Sequence, residues 1–435
     1  MKRIASVLYL CTTGLILLAC TKSSTSQPPP PPPDTILINL SHLNYLYTPV
    51  TFPNGVNAAG IYIYSEAPDY HLVEASGEGF SCVDDVSRAA LVYIRSKNFS
   101  SDTTLQGKAI NLVKFMLQMQ SANGYFYNFL FTNGLINKGG STSVDNPDWW
   151  SWRALQALTE AYPRIKNIDA SLAAEMDASI TKLVDNIKRD FVPLPQTTKV
   201  VNGITVPQWL PAGSGTDQAS LMIIGLISYY TLHNDAVIKD YVKKLADGVA
   251  LMQAGDASNY PYGSFLSWEN TWHAYGNLQA YALMKASAFL NDDTCKTKAF
   301  VEVDNFYPWL LQNGFQSSFS LSKSGSTYQT LSEKDYDQIA YGIEPMFFAA
   351  AEAYKETLDD KYADMAGHIA AWLLGANDPA VNMYDTATGR CFDAIFSATG
   401  VNRNSGAEST IEALLTLQKV EEVPAIKTAL DKYKK

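Results

Sequence analysis

The chain is poor in cysteine and histidine, with five of each in 435 residues. Beyond position 20 only Cys82, Cys295 and Cys391 remain, an odd set without close spacing. That leaves room for one disulfide at most and excludes a disulfide framework. No Cys-x-x-Cys or His-x-x-x-His spacing offers a zinc site, and the oxygen-rich spacing of Asp378, Asn382 and Asp385 in a loop is only a weak hint of calcium. We therefore expect no metal. There is no P-loop and no Gly-x-Ser-x-Gly elbow, so phosphate cradling and serine-hydrolase chemistry drop out and no cofactor is expected. Lys and Arg number 33 against 43 Asp and Glu, for a formal charge of -10. With no basic cluster to meet a phosphate backbone, nucleic acid is excluded as a partner.

Long apolar runs are also missing, except at the start. Met1-Lys2-Arg3 lead into an apolar stretch ending Leu17-Leu18-Ala19-Cys20. A basic start, a short apolar core and a small residue before the cut describe a secretory signal peptide over residues 1–19. The cysteine directly after Leu-Leu-Ala resembles a bacterial lipobox, which implies that Cys20 is acylated. An ordinary signal peptide with a coincidental cysteine is the competing reading. Residues 20–34, with prolines at 28 to 33, read as an extended tether. The expected location is the bacterial cell envelope, with the lipid anchor as the one membrane contact and a monomer beyond it. Residues 35–80 read as a small β extension: Ile36 to Leu40 and Gly60 to Tyr64 suggest strands, with a turn at Pro53-Asn54-Gly55.

Residues 81–435 carry a repeat. Six times an acidic or aromatic cluster leads into a helix poor in charge and rich in Ala, Leu, Tyr and Met. The lead positions are Asp84, Asp148, Asp217, Trp272, Asp337 and Glu408, spaced 55 to 71 residues apart. Between these helices lie others of amphipathic character, such as Val242 to Val249. The first set reads as an inner ring and the second as an outer ring, an all-α (α/α)6 toroid. Links from inner to outer helices are short, while the return links are long. Long loops inside a domain are usually functional, so the face where inner helices begin is the expected active face.

Carboxylates gather there: Asp84, Asp85, Asp145, Asp148, Asp217, Glu269, Asp337, Glu344 and Glu408. Each is also a natural helix cap or first-turn acid, a reading that suits Asp217 and Asp337 best. Two positions resist it. Asp84 and Asp85 are adjacent where one cap suffices, and neighbouring like charges cost energy unless something holds them. Glu408 fits catalysis and a capping box with Ser405 equally well. Arg88, one turn after Asp84, would balance these acids. Trp149, Trp150, Trp268, Trp272 and Tyr341 lie in long loops or at inner-helix starts, as aromatic platforms for a sugar. Packing of loops onto the ring explains such rings equally well. His273 is either a base or a satisfied core histidine.

Six helical hairpins with acids and long loops on one face resemble the six-hairpin glycosidases. Ala371 to Pro379 followed by Asn404-Ser405-Gly406-Ala407-Glu408 is distantly similar to the late segment of family 9 glycoside hydrolases. The resemblance implies Glu408 as general acid and Asp84 or Asp85 as base, acting on an oligosaccharide or polysaccharide. The family's Asp-x-x-Asp spacing is absent here, and so is a His-x-His-x-Arg-like segment. A non-catalytic glycan binder and a polysaccharide lyase with His273 or Tyr341 as base remain open.

Overall fold

In the computed structural model, residues 36–435 are described; the expected signal peptide, Cys20 and the tether lie outside them. A short helix α1 (Ser41–Leu46) comes first. Six hairpins follow, each an inner helix and then an outer one. They are α2 (Val83–Arg95) with α3 (Thr103–Met119), α4 (Trp149–Ile165) with α5 (Ala170–Asp190), and α6 (Thr216–His233) with α7 (Ala236–Leu251). The second half holds α8 (Gln279–Leu290) with α9 (Asp293–Asn313), α10 (Ala340–Thr357) with α11 (Asp360–Ala370), and α12 (Ala407–Glu422) with α13 (Pro424–Tyr433). The inner helices pack in the order α2, α4, α6, α8, α10, α12, and α12 returns to α2. The ring is closed, and the fold is an (α/α)6 toroid.

Burial follows the sequence pattern. Every residue from Ala340 to Ala353 in α10 is buried, because an inner helix has neighbours on all sides. The amphipathic α5 buries Leu172, Met176, Ile180, Leu183 and Ile187 at helical spacing and turns its charges outward. Five outer helices are capped by Asp102, Asp169, Asp235, Asp292 and Asp359, whose side chains accept backbone N–H groups. Such a cap stabilises a helix by about 1 kcal/mol. These caps occupy the short links, on the face away from the long loops.

Two local readings need correction. Residues 36–40 form no strand; the β extension instead consists of hairpins Tyr47–Thr51 with Asn57–Ile61 and Tyr64–Glu66 with His71–Val73. The turn at Pro53 to Gly55 is real and joins the first pair, with Gly55 at φ +85°. The fourth lead-in is not a helix start either. Thr271–His273 is a strand pairing with Ser318–Ser324, which pairs in turn with Thr327–Lys334. Gly276 then turns the chain at φ +63°, and α8 begins only at Gln279. A Cβ at Gly276 would stand 2.8 Å from Tyr341 Oη and 2.9 Å from Trp149 Cη2, so glycine is required there.

Candidate active site

A cavity of about 910 Å³ opens on the loop face. It lies over the starts of α2, α4, α10 and α12, where the first and sixth hairpins meet. Asp84, Asp85, Arg88, Trp149, Trp150 and Glu408 line it, as do Asn128, Asp337, Asp393 and Phe396.

The cap reading fails for most of the inner-helix acids. Helix α2 is capped by the Cys82 thiol, which accepts the Asp85 N–H at 3.4 Å. That leaves Asp84 and Asp85 in the first turn with side chains that play no capping role. Helix α12 begins at Gly406 without a side-chain cap. Ser405 Oγ accepts the Cys391 N–H and meets Thr410 Oγ1, so it forms no capping box with Glu408. Of the two residues that suited this reading best, Asp337 stands ahead of a helix that begins after Ile339, while Asp217, a first-turn acid of a helix that begins after Gly215, accepts the Gln218 N–H. Only Asp148 among the six lead positions is an N-cap, accepting the Trp149 N–H at 2.8 Å.

The freed carboxylates converge on Arg88, which is 1% exposed. Its Nη2 donates to Asp85 Oδ1 at 2.7 Å, to Asp84 Oδ2 at 2.9 Å and to Glu408 Oε2 at 3.3 Å. Its Nη1 donates to the buried Glu412 at 2.5 Å. Arg153 from α4 adds a second cation, with Nε 3.3 Å from Asp84 Oδ1. The two guanidinium groups lie 5.1 and 4.9 Å from the Tyr341 ring centre, a cation–π arrangement on both. Charges more than 300 residues apart in sequence thus meet at the seam.

Burial governs the protonation of this cluster. It raises the Asp85 carboxyl against the opposing pull of Arg88. It also pushes Glu408 up to about 7, with Arg88 opposing and Asp85, Glu412 and Asp84 reinforcing. Glu408 lies deep among protein atoms, yet its side chain is 42% exposed because one edge opens onto the cavity. That opening moderates the shift but does not reverse its direction. Its Oε2 faces Arg88, and Oε1 has no hydrogen-bond partner among the described residues. Glu344 in α10 is raised too, by burial and by the nearby Glu412.

The aromatic candidates divide. Trp149 and Trp150 line the cavity, with Trp150 anchored through Nε1 to the Phe126 carbonyl at 2.6 Å. Trp272 does not: it is fully buried, stacked on Phe319 at 5.0 Å, because the strand carrying it turns the indole into the core. Trp268 is 45% exposed and bonds the Ala212 carbonyl, away from the cavity lining. Tyr341 is buried, beside the arginines rather than on the cavity wall. His273 stacks on Tyr275 at 3.7 Å, with Nε2 3.1 Å from Asp217 and Nδ1 2.8 Å from the Tyr275 carbonyl. Both ring nitrogens are engaged by these neighbours, and the ring does not line the cavity.

Several residues escaped the sequence reading. Asp393 accepts the Gly406 N–H and the Ser409 hydroxyl, both at 2.7 Å, and so orders the entry to α12. Asn128 accepts the Asp84 N–H and its carbonyl accepts the Val83 N–H. Both are single polar residues in loops, without a motif. Arg153 and Glu412 did leave a signal: each is a charge set in the buried stretch near the start of an inner helix.

No family model and no curated protein sequence matches the chain. Solved structures do. The cellobiose 2-epimerase of Spirochaeta thermophila aligns with TM-score 0.60 and 12% identity over 90% of this chain and 94% of its own. A D-mannose isomerase aligns at 0.54 and 14%, over 85% of this chain and 92% of its own. A family 76 glycoside hydrolase from a bovine Bacteroides thetaiotaomicron strain aligns at 0.52 and 10%, over 88% and 76%. The chain is therefore an (α/α)6 toroid similar in fold to sugar epimerases, a sugar isomerase and a glycoside hydrolase.

Proposed function

We propose that this chain is a carbohydrate-active enzyme that hydrolyses glycosidic bonds in a neutral glycan. The observation that carries this reading is the pairing of Glu408 with Asp84 at the cavity wall. Both contact one nitrogen of Arg88, which sets two carboxylates from different helices side by side at the cavity wall, the residue types that two-carboxylate glycoside chemistry uses. Glu408, held at about 7, is protonated in part at neutral pH and donates through Oε1 to the glycosidic oxygen. The C1–O bond breaks with its electron pair passing to that oxygen. Asp84 takes the proton of the attacking water, whose oxygen bonds to C1. Asp85, more deeply buried and engaged with Arg88 and the Cys82 thiol, serves to position this pair.

The cavity supports a carbohydrate substrate in other ways. Its volume falls in the range of pockets that enclose small organic ligands. Trp149 offers an aromatic face, and Asn128 and Asp337 offer polar groups. The acids on its wall outnumber Arg88 and Arg403, which disfavours an anionic sugar and hence the lyase reading. The sugar isomerases and epimerases of similar fold suggest a second reading, proton transfer on a free sugar. His273 would be its natural base, and its two engaged nitrogens and position off the cavity weigh against it.

The deciding experiment incubates the enzyme with manno-, gluco-, xylo- and arabino-oligosaccharides. New reducing ends are expected, with Asp84→Asn reducing their release by about 100-fold or more. Epimerised products without chain shortening would overturn the hydrolase assignment, and so would binding without turnover.

Lipid anchoring through Cys20 in the cell envelope forms part of the proposal. Cys20→Ala should move the protein from the membrane to the soluble fraction. An unchanged distribution would reject the anchor.

A further inference from the structure

Two large aromatic side chains remain exposed at the cavity, and neither was singled out by the sequence. Phe396 is 54% exposed and Tyr64 is 45% exposed, although both line the cavity. Water contact with so much aromatic surface is unfavourable, and a ligand that covers it gains the corresponding burial.

Both are tied to the first turn of α12. Tyr64 lies between two backbone contacts: the Ile63 carbonyl accepts the Ala407 N–H, and the Ser65 carbonyl accepts the Ser405 N–H, each at 2.9 Å. Phe396 belongs to the hairpin Ala394–Ser397 with Gly400–Asn402. That hairpin follows Asp393, whose carboxylate takes the Gly406 N–H and the Ser409 hydroxyl. A Cβ at Gly400 would fall 2.3 Å from Phe396 Cε2, so the ring packs closely over that glycine. Gln338 also exchanges both backbone hydrogen bonds with Ile395, which steadies the hairpin beside α10. The ring is thus held by its hairpin while it remains exposed at the cavity.

Position decides what these rings would hold. Glu408 sits in that same turn of α12, whereas Asp84 rises from α2 beside Asn128. A general acid protonates the leaving oxygen, so the sugar departing with that oxygen lies on the acid's side of the scissile bond. We infer that Tyr64 and Phe396 form an aromatic subsite for the leaving-group sugar, stacking on its C–H face. This rests on the hydrolase reading and assigns one flank of the cavity to the leaving portion of the glycan.

The test compares two substrates built on the same sugar, the oligosaccharide cleaved in the panel and its 2,4-dinitrophenyl glycoside. The aryl group leaves with little need of a sugar subsite. Phe396→Ala and Tyr64→Ala should lower the ratio of kcat/KM for oligosaccharide over aryl glycoside by about tenfold each. Calorimetry on the Glu408→Gln background should show a matching loss of oligosaccharide affinity. Leu331→Ala, at an exposed position away from the cavity lining, controls for general surface effects. Turnover by the wild-type chain with an unchanged ratio in both variants would overturn the subsite and leave the hydrolase reading intact. Binding without turnover would overturn the hydrolase reading and with it the leaving-group assignment. Absence of both binding and turnover would overturn the two together.

Discussion

Glu408→Gln is expected to lower glycan hydrolysis by about 100- to 10,000-fold in kcat while oligosaccharide affinity stays nearly constant. The amide keeps the shape of the side chain and its contact with Arg88, but it has no acidic proton to give. Wild-type activity should carry the mark of the same group. A carboxyl held at about 7 is protonated below that pH and ionised above it, so kcat should fall as pH rises through about 7. The stability consequence has the same direction. An unfolded Glu releases its proton near its ordinary value of 4.5, while the folded chain holds it up to about 7. The folded state binds more protons between those values, so Glu408 makes stability decline as pH rises across that window. Glu408→Gln should remove this contribution. If the variant retains wild-type turnover, Glu408 is not the acid, and the hydrolase mechanism loses its central residue.

Arg88→Met should destabilise the fold by about 3–5 kcal/mol at neutral pH, because it leaves buried carboxylates without their cation. Asp85 and Glu412 are 4% and 1% exposed, and neither can recover water. At about 2.1 cal/mol/K of unfolding entropy per residue, that loss lowers Tm by about 3–5 °C for a chain of this length. The deficit should shrink on acidification. Without Arg88 the Asp85 carboxyl, already raised by burial, loses the pull that opposes that rise, so the folded chain retains a proton that the unfolded chain releases. The penalty is complete above the raised folded value and is relieved as pH falls toward the ordinary carboxylate range. Arg88→Lys should recover only part of the stability, since one ammonium cannot bridge carboxylates on both sides as the planar guanidinium does. Thermal unfolding at pH 7 and pH 5 checks both statements. An equal deficit at the two values would mean that lost packing, not charge, dominates.

Arg88 also shows why the candidate site was only partly legible. The sequence places it one turn after Asp84, which suggests an ion pair within α2. The resemblance already pairs Glu408 with Asp84 and Asp85, but nothing local indicates that Arg88 bridges all three or that Glu412 joins them, since these contacts form only when the ring closes. The division between catalyst and cap was equally hidden. Asp217 and Asp337 look like caps from their neighbours, but the helices begin elsewhere because the incoming loops already satisfy other constraints. Asp217 pairs with His273, and the segment after Asp337 is bonded to Ile395.

Trp272 marks a different limit. A Trp-His-Ala-Tyr stretch before an apolar helix looks like the other lead-ins, yet the next hairpin supplies strand partners that outweigh helix propensity. The alternation in Ser318 to Lys334, with Gly325 at its turn, was the available signal of that hairpin.

By itself the sequence determined the toroid. The alternation of charge-poor and amphipathic helices, with short and long links between them, is a local pattern, and one buried face per helix decides which ring it joins. It determined as well that acids and aromatics would gather at the inner-helix starts. Only the tertiary structure decided which of them share a cavity. Cavity membership depends on the closure of the first hairpin on the sixth and on the path of each long loop. Those are set by contacts between residues hundreds of positions apart, such as Arg88 with Glu408, which no local pattern encodes.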